Sequence, residues 1–269
     1  MSEAQKSTSS TCNKSLHPSF IWPRRRHWII GGVCAALVAA LVTWTLADSS
    51  ATPEIRVGGT ERAVSALLVD GDDRILILNA NGPQDARAVI GILSPPWEAA
   101  PSTVVVGADR VSPAALSEAL QRLQPRQLIV AGAPGADPDW VALERFCRAT
   151  GITVSYLDHE VEIALDAVTL TIVPTRNTAP SHLRVAFGAT RVAVGLGGLP
   201  VGAGRFHLAI SDRQFAPGSW SDVVVTSDSG DGAPAGRAII LRPGQRIDAL
   251  IEPQRVRIQG RAAHIETEE

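Results

Sequence analysis

The stretch VVVGADRVSPAALSEALQRLQPRQLIVAG, residues 104–132, decides the fold of this chain. It begins with a continuous β-branched run, which is typical of a strand covered on both faces. Ser112 and Pro113 then supply an N-cap residue and a proline at the first helical position, and apolar residues recur with helical spacing until Pro125. Another apolar run follows at residues 127–131. This order predicts two parallel strands joined by a crossover helix.

The same alternation extends to both sides of this stretch. Upstream, the apolar runs 65–70 and 74–79 flank a turn-rich trio and predict a hairpin, which a helix over 84–93 follows. Downstream, Asp137 and Pro138 open a helix that Gly151 ends. The first half of the chain therefore predicts a mixed sheet with crossover helices.

The second half has a different character, with short apolar runs separated by Gly, Pro and Ser loops. These runs predict strands rather than helices, because each is too short for a helix and rich in β-branched residues. They cover residues 152–157, 162–165, 168–173, 182–187, 191–194, 206–210, 222–226, 237–241, 247–251 and 255–258.

Near the start of the chain lies WIIGGVCAALVAALVTWTLA, an uncharged run that begins at Trp28 and ends at Ala47. Its length suffices to cross a bilayer as a helix, so it predicts a transmembrane segment that acts as a signal anchor. Three arginines precede the run and Asp48 follows it. This charge bias predicts a cytoplasmic N-terminus and an extracytoplasmic C-terminal domain at the cell membrane.

The alternative is a cleaved secretory signal, because Thr45-Leu46-Ala47 loosely resembles a cleavage site. Both alternatives export the domain, and in the second the product is a secreted binding protein. The predicted organisation is a disordered leader over 1–27, the transmembrane helix over 28–47, a tether over 48–60, the main domain over 61–260 and a tail over 261–269.

Charge and cysteine content exclude several classes of function. The 269 residues carry 25 basic and 27 acidic side chains, but residues 48–269 alone carry 20 basic residues, all Arg, against 26 acidic ones. That net charge of −6 disfavours nucleic acid as a partner. The three cysteines, Cys12, Cys34 and Cys147, are too few and too scattered for a disulfide framework or a thiolate zinc site.

Read in order, the elements resemble the metallo-β-lactamase fold, and within it the extracytoplasmic domain of ComEC-type competence proteins. Four stretches carry the resemblance, which spans about residues 60–200: ILILNANG at 75–82, the opening stretch at 104–132, FCRATGITVSYLDHEVEIALDAVTLTIVPT at 146–175 and SHLRVAFGATRVAVGLGG at 181–198. The resemblance implies a four-layer αββα sandwich, so the predicted fold class is α/β with a transmembrane helix before it.

Active members of this family hold two metal ions with an H-x-H-x-D-H run. The corresponding positions here are Val105, Gly107, Asp109 and Arg110, so only the aspartate remains. The later metal-bridging aspartate falls at Leu196 or Gly197. Valine, glycine and leucine side chains offer no lone pair, and an arginine brings a fixed positive charge. The resemblance therefore implies a degenerate domain without a metal or other cofactor, a pseudoenzyme.

The remaining polar residues at the predicted strand ends are candidates for ligand binding. They are Asn79, Asn81, Gly107, Asp109, Arg110 and Gly197. Asn79 and Asn81 have the alternative role of satisfying a tight turn. The leading interpretation is a membrane-anchored, non-catalytic binding or scaffolding domain. Its partner is a membrane or cell-envelope protein, a cell-wall component or a DNA-uptake protein, and the sequence leaves these alternatives open. The alternative is a metal-dependent phosphoester hydrolase with an atypical site around Asp109.

Overall fold

The computed structural model describes residues 52–60, 63–134, 137–175, 181–196, 205–211, 220–226, 237–259 and 265–266. The chain divides into two compact units, Met1–Ala47 and Asp48–Glu269, and every described residue belongs to the second. The leader over 1–27 and the apolar run over 28–47 lie outside the described residues. In the part of the chain that is described, no helix has both the length and the apolar character that a membrane span requires.

The first sheet has eight strands and is mixed. Its order is β15-β14-β1-β2-β3-β4-β5-β6, with β3 to β6 parallel and the other neighbours antiparallel. The strands are β1 (Glu54–Gly59), β2 (Val64–Asp70), β3 (Asp73–Ile77), β4 (Thr103–Gly107), β5 (Gln127–Ala131), β6 (Thr153–Leu157), β14 (Arg246–Glu252) and β15 (Arg255–Gln259).

Three helices connect the parallel strands of this sheet. They are α1 (Pro83–Leu93), α2 (Pro113–Leu123) and α3 (Pro138–Thr150). The Ser112 side chain accepts a hydrogen bond from the Ala115 N–H, and Asp137 caps α3 in the same way through the Asp139 N–H. Gly151 ends α3 in the left-handed conformation, with φ of 78°. The predicted hairpin, crossover helices and helix boundaries are confirmed.

The second sheet also has eight strands, in the order β16-β13-β12-β11-β10-β9-β8-β7. Strands β10 to β13 run parallel, and the remaining neighbours are antiparallel. The strands are β7 (Val161–Ala164), β8 (Thr169–Val173), β9 (His182–Phe187), β10 (Thr190–Gly195), β11 (Arg205–Ile210), β12 (Trp220–Thr226), β13 (Arg237–Ile240) and β16 (Ile265–Glu266).

Two apolar cores hold these layers together. Alternate residues of the central strands point to opposite faces: Ile77 and Val105 lie in the core between the two sheets, whereas Leu76 and Val104 lie in the core beneath the helices. This explains the continuous apolar runs of β3, β4 and β5, because both faces of the first sheet are covered. Replacing the buried Leu76 with alanine is expected to lower the free energy of unfolding by about 2–5 kcal/mol.

Two organisational predictions need correction. The predicted tether over 48–60 is too long at its C-terminal end. Residues Glu54–Gly59 form strand β1, which lies between β14 and β2 in the first sheet. The tail over 261–269 contains the short strand β16, which pairs with β13. The described residues form three layers, which are the helices, the first sheet and the second sheet. The predicted helical layer outside the second sheet lies outside the described residues and stays a prediction.

Candidate functional site

The carboxyl ends of β3 and β4 and the end of β10 form the region where the sequence places its candidate residues. Asn79 follows β3 and is 2% exposed. Its Nδ2 donates hydrogen bonds to the Val64 carbonyl at 2.9 Å and to the Gly195 carbonyl at 3.0 Å. Gly195 belongs to β10, so the Asn79 amide ties the first sheet to the second. The sequence left open that Asn79 only stabilises a tight turn, and the structure shows that its side chain also links the two sheets.

The Asn79 backbone is held as firmly as its side chain. Its N–H donates to the Ser65 Oγ at 2.9 Å, and that hydroxyl donates to the Asn79 carbonyl at 2.9 Å. Ser65 is fully buried in β2. The Asn79 Oδ1 has no hydrogen-bond partner, which leaves one acceptor unsatisfied inside this link.

Gly107 ends β4 and lies directly against Leu196, the residue after β10. A Cβ atom built on Gly107 would be 3.0 Å from the Leu196 carbonyl oxygen and 3.2 Å from its Cβ. Leu196 is fully buried, and its N–H donates to the Ser181 carbonyl at 2.9 Å. The ends of the two sheets are therefore packed together at this point.

Asp109 and Arg110 lie beyond Gly107 in the turn after β4. The Arg110 N–H donates to the Gly107 carbonyl at 3.2 Å, which closes the turn. The Arg110 Nε is 3.4 Å from the Asp109 Oδ2, so the two side chains form an ion pair. The Asp109 side chain is 50% exposed, whereas that of Arg110 is 26% exposed. The aspartate that the sequence singled out is thus a half-exposed carboxylate paired with its own neighbour.

Asn81 lies in a different environment from the other candidates. It lines an open cleft of about 940 Å³ beside the N-terminus of α1. The other residues of this cleft are Thr60, Gly82, Pro83, Gln84, Asp85, Arg87, Ala88, Pro243 and Gly244. The structure thus brings Asn79, Gly107, Asp109 and Arg110 to the strand ends and places Asn81 on the α1 cleft, while Gly197 lies outside the described residues.

A hydrogen-bonded pair of hydroxyl groups near Leu196, one of them buried, was not singled out from the sequence. The Oγ atoms of Ser181 and Thr175 are 2.5 Å apart, and Ser181 is 1% exposed. His182 follows, is 6% exposed and is paired in register with Gly195. The proline-containing loop between two predicted strands was the available signal, but only the pairing of β9 with β10 brings these residues to the strand ends.

The residues of this site that the structure describes do not fit a dinuclear metal centre. Val105 is buried between the sheets, Gly107 has no side chain and Leu196 is buried against it. Among the described residues, no group of three His, Cys, Asp or Glu side chains is placed to hold a metal ion. His159 is exposed beside Asp158, and the His207 Nδ1 accepts a hydrogen bond from the Arg191 N–H. One half-exposed carboxylate is too weak a donor set for such a centre.

Comparisons with known proteins identify similar solved structures only. No protein-family model and no curated protein matches the chain. The metallo-β-lactamase fold protein YhfI from Bacillus subtilis is 13% identical, with a TM-score of 0.46 over 73% of this chain and 99% of YhfI. A variant of the CmlA β-hydroxylase is 11% identical, with a TM-score of 0.41 over 65% of this chain and 45% of CmlA. Zn²⁺-bound PqqB from Methylobacterium extorquens is 11% identical, with a TM-score of 0.37 over 64% of this chain and 70% of PqqB.

Proposed function

We propose that this chain is a membrane-anchored, extracytoplasmic domain of the metallo-β-lactamase type, related to ComEC-type proteins, that binds or scaffolds a partner without catalysis. The observation that carries the proposal is the contact between Gly107 and Leu196. At 3.0 Å from the position of a Gly107 Cβ, the Leu196 carbonyl occupies the space that a longer, metal-binding side chain would need.

Asn79 supports the same proposal from the other side of the strand ends. Its amide donates to one carbonyl in each sheet, so the two sheets are linked at the point where a catalytic cleft would have to be open. Such a link favours a rigid surface over a reactive pocket. Within the fold, the residues that held reactive groups in an active relative would serve here as packing and cross-linking groups.

The partner class follows from charge and from the apolar run. Residues 28–47 supply the proposed anchor, and residues 48–269 carry a net charge of −6. An acidic domain close to a bilayer is poorly suited to binding nucleic acid, because phosphates would be repelled. A membrane protein or another component of the cell envelope is the partner class that remains.

The hydrolase alternative retains one observation in its favour, the half-exposed Asp109 carboxylate beside Gly107. Turnover of a chromogenic phosphodiester by the full chain, with zinc, manganese or iron added, tests it. We expect no turnover above that of the metal alone. Turnover that Asp109→Ala abolishes, and that the control Asp139→Ala at the exposed start of α3 retains, would replace the binding proposal with the hydrolase.

Anchoring is tested separately on the expressed chain. If residues 28–47 are retained as a signal anchor, the chain floats with membranes, resists alkaline extraction and has the mass of the uncleaved polypeptide. A chain that starts at residue 48 by mass would establish the secreted alternative. Protease is then added to cells whose outer envelope is permeable and whose cell membrane is intact. It should cleave the domain but not the leader over 1–27.

A further inference from the structure

The segment 94–101, SPPWEAAP, carries the most exposed large apolar side chain of the described residues. It joins α1 to β4, and we call it the Trp97 loop. Trp97 is 83% exposed, compared with 46% for Val141 and 39% for Tyr156. An exposed tryptophan is costly to leave in water, because its ring is a large apolar surface with one polar N–H.

The loop turns an uncharged face outward. Pro96, Trp97, Ala99 and Ala100 are exposed, whereas Glu98, the single charged residue of the loop, is turned back toward the first sheet. Its carboxylate accepts hydrogen bonds from the guanidinium groups of Arg56 in β1 and Arg74 in β3, the latter at 3.1 Å. The apolar face is therefore produced by a specific ion-pair arrangement behind it.

This arrangement also fixes the position of the loop. The Glu98 N–H donates to the Pro95 carbonyl at 3.0 Å, and the Arg74 Nη1 donates to the Ala99 carbonyl at 3.3 Å. Burial favours the neutral form of the Glu98 carboxyl, but the hydrogen bonds from both arginines outweigh burial and lower its pKa. Glu98 therefore remains a carboxylate at neutral pH and keeps the loop in place.

The Trp97 loop lies at the edge of the sheet where the chain enters the domain. β1 is antiparallel to β2, β2 is antiparallel to β3, and β3 is parallel to β4, so β1 and β4 begin at the same edge. Residues 48–53 alone separate the apolar run from β1. Six extended residues reach about 20 Å, so the segment between the apolar run and β1 is short.

We propose that the Trp97 loop inserts into the bilayer interface, with the Trp97 indole at the level of the lipid headgroups. This inference rests on the proposed membrane anchoring and deepens it, because it names the surface of the domain that contacts lipid. Tryptophan prefers this interface, where its ring is buried and its N–H remains hydrated. One apolar loop adds too little affinity to anchor a protein alone, but it orients a domain that is already tethered.

Quenching of tryptophan fluorescence in the full chain, reconstituted in lipid nanodiscs, tests the inference. The emission of Trp97 is obtained as the difference between the unmodified chain and Trp97→Phe, which cancels the tryptophans inside the apolar run. We expect this difference to be lost when the lipids carry bromine near the headgroup end of the acyl chains. The corresponding difference for Trp140→Phe, which reports a side chain 5% exposed in α3, should persist.

A second measurement uses aqueous iodide in the same discs without bromine. Iodide should not quench the fluorescence difference that reports Trp97, although the Trp97 side chain is 83% exposed in the structure of the domain. A Trp97 difference that survives brominated lipid and is quenched by iodide, in chains still bound to the discs, would overturn the inference and leave anchoring intact. Chains that do not associate with the discs at all would overturn both.

Discussion

Gly107 and Leu196 show how a single contact decides what the strand ends can do. Gly107→Ala is expected to lower the free energy of unfolding by about 1–3 kcal/mol, because the new Cβ meets a backbone oxygen in a packed region. That oxygen lies 3.0 Å from the Cβ position. Equilibrium unfolding in urea measures the change.

Gly91→Ala is the matched control for this substitution. A Cβ on Gly91 meets nothing within 4 Å, and the residue lies inside α1. Alanine there should raise the stability by up to about 1 kcal/mol, because glycine is the poorer helix former. Equal effects of the two substitutions would show that the Leu196 contact does not constrain Gly107.

Asp70 provides a second test at the scale of one residue. It is 1% exposed, and its Oδ2 accepts hydrogen bonds from the Ala167 N–H at 2.7 Å and the Val168 N–H at 3.0 Å. Because these donors lie in the turn between β7 and β8, the carboxylate links the first hairpin to the second sheet. Asp70→Ala should cost about 2–3 kcal/mol of unfolding free energy, since it leaves buried N–H groups unpaired.

The control for Asp70 is the exposed Asp72 in the following turn. Asp72→Ala removes the same charge without breaking the link between sheets, so its effect on the urea midpoint should be small. If Asp72→Ala lowers the free energy of unfolding as much as Asp70→Ala does, the effect comes from charge or turn formation. It would then not come from the two hydrogen bonds that the Asp70 carboxylate accepts.

At the scale of elements, Glu118 joins two helices. Hydrogen bonds from the Nε atoms of Arg87 in α1, at 3.1 Å, and Arg122 in α2, at 2.6 Å, lower the pKa of Glu118 from 4.5 to about 2. A carboxyl with a lowered pKa in the folded state stabilises the protein above its unfolded pKa. This contribution is therefore complete above pH 4.5 and is lost as the pH falls toward 2.

Glu118→Gln should remove that part of the pH dependence. We expect the free energy of unfolding to fall less steeply for Glu118→Gln than for the unmodified chain, when both are measured from pH 6 down to the lowest pH at which the chain stays folded. An unchanged slope in Glu118→Gln would show that solvent screens the pairs at this surface, as it does for many exposed ion pairs.

Elements with a local signal were predictable from the sequence. The capping residues Ser112 and Asp137 and the αL residue Gly151 gave helix boundaries within a residue of those observed. Strand β1 was missed because its partner β14 lies about 190 positions later and its apolar residues, Ile55 and Val57, are only two. A short strand of this kind is fixed by its neighbours rather than by its own composition.

The candidate site was predictable only in part, for the same reason. That Val105, Gly107 and Arg110 carry no side chain suited to binding a metal ion can be read from the sequence alone. The hydrogen bond from Asn79 to Gly195 joins residues that are 116 positions apart, so no local sequence pattern predicts it. The separation of Asn81 from Asn79 likewise follows from the start of α1, which directs Asn81 to the cleft.

At the scale of the whole domain, the described residues form two mixed sheets packed face to face, with helices outside the first sheet, and this is an α/β sandwich. The two sheets have similar construction, each with antiparallel hairpins followed by parallel strands. At one edge of the first sheet lie the packed strand ends with Asn79 and Gly107. At the opposite edge lie the start of β1 and the Trp97 loop.

Elemental analysis of the full chain, after incubation with zinc, manganese and iron followed by dialysis, bears most directly on whether the domain works without metals. Because the described residues at the strand ends offer one half-exposed carboxylate and no convergent donors, the retained metal should be far below one ion per chain and unchanged by Asp109→Ala. Stoichiometric metal that Asp109→Ala removes, while Asp139→Ala retains it, would contradict the proposal and restore a metal centre at this site.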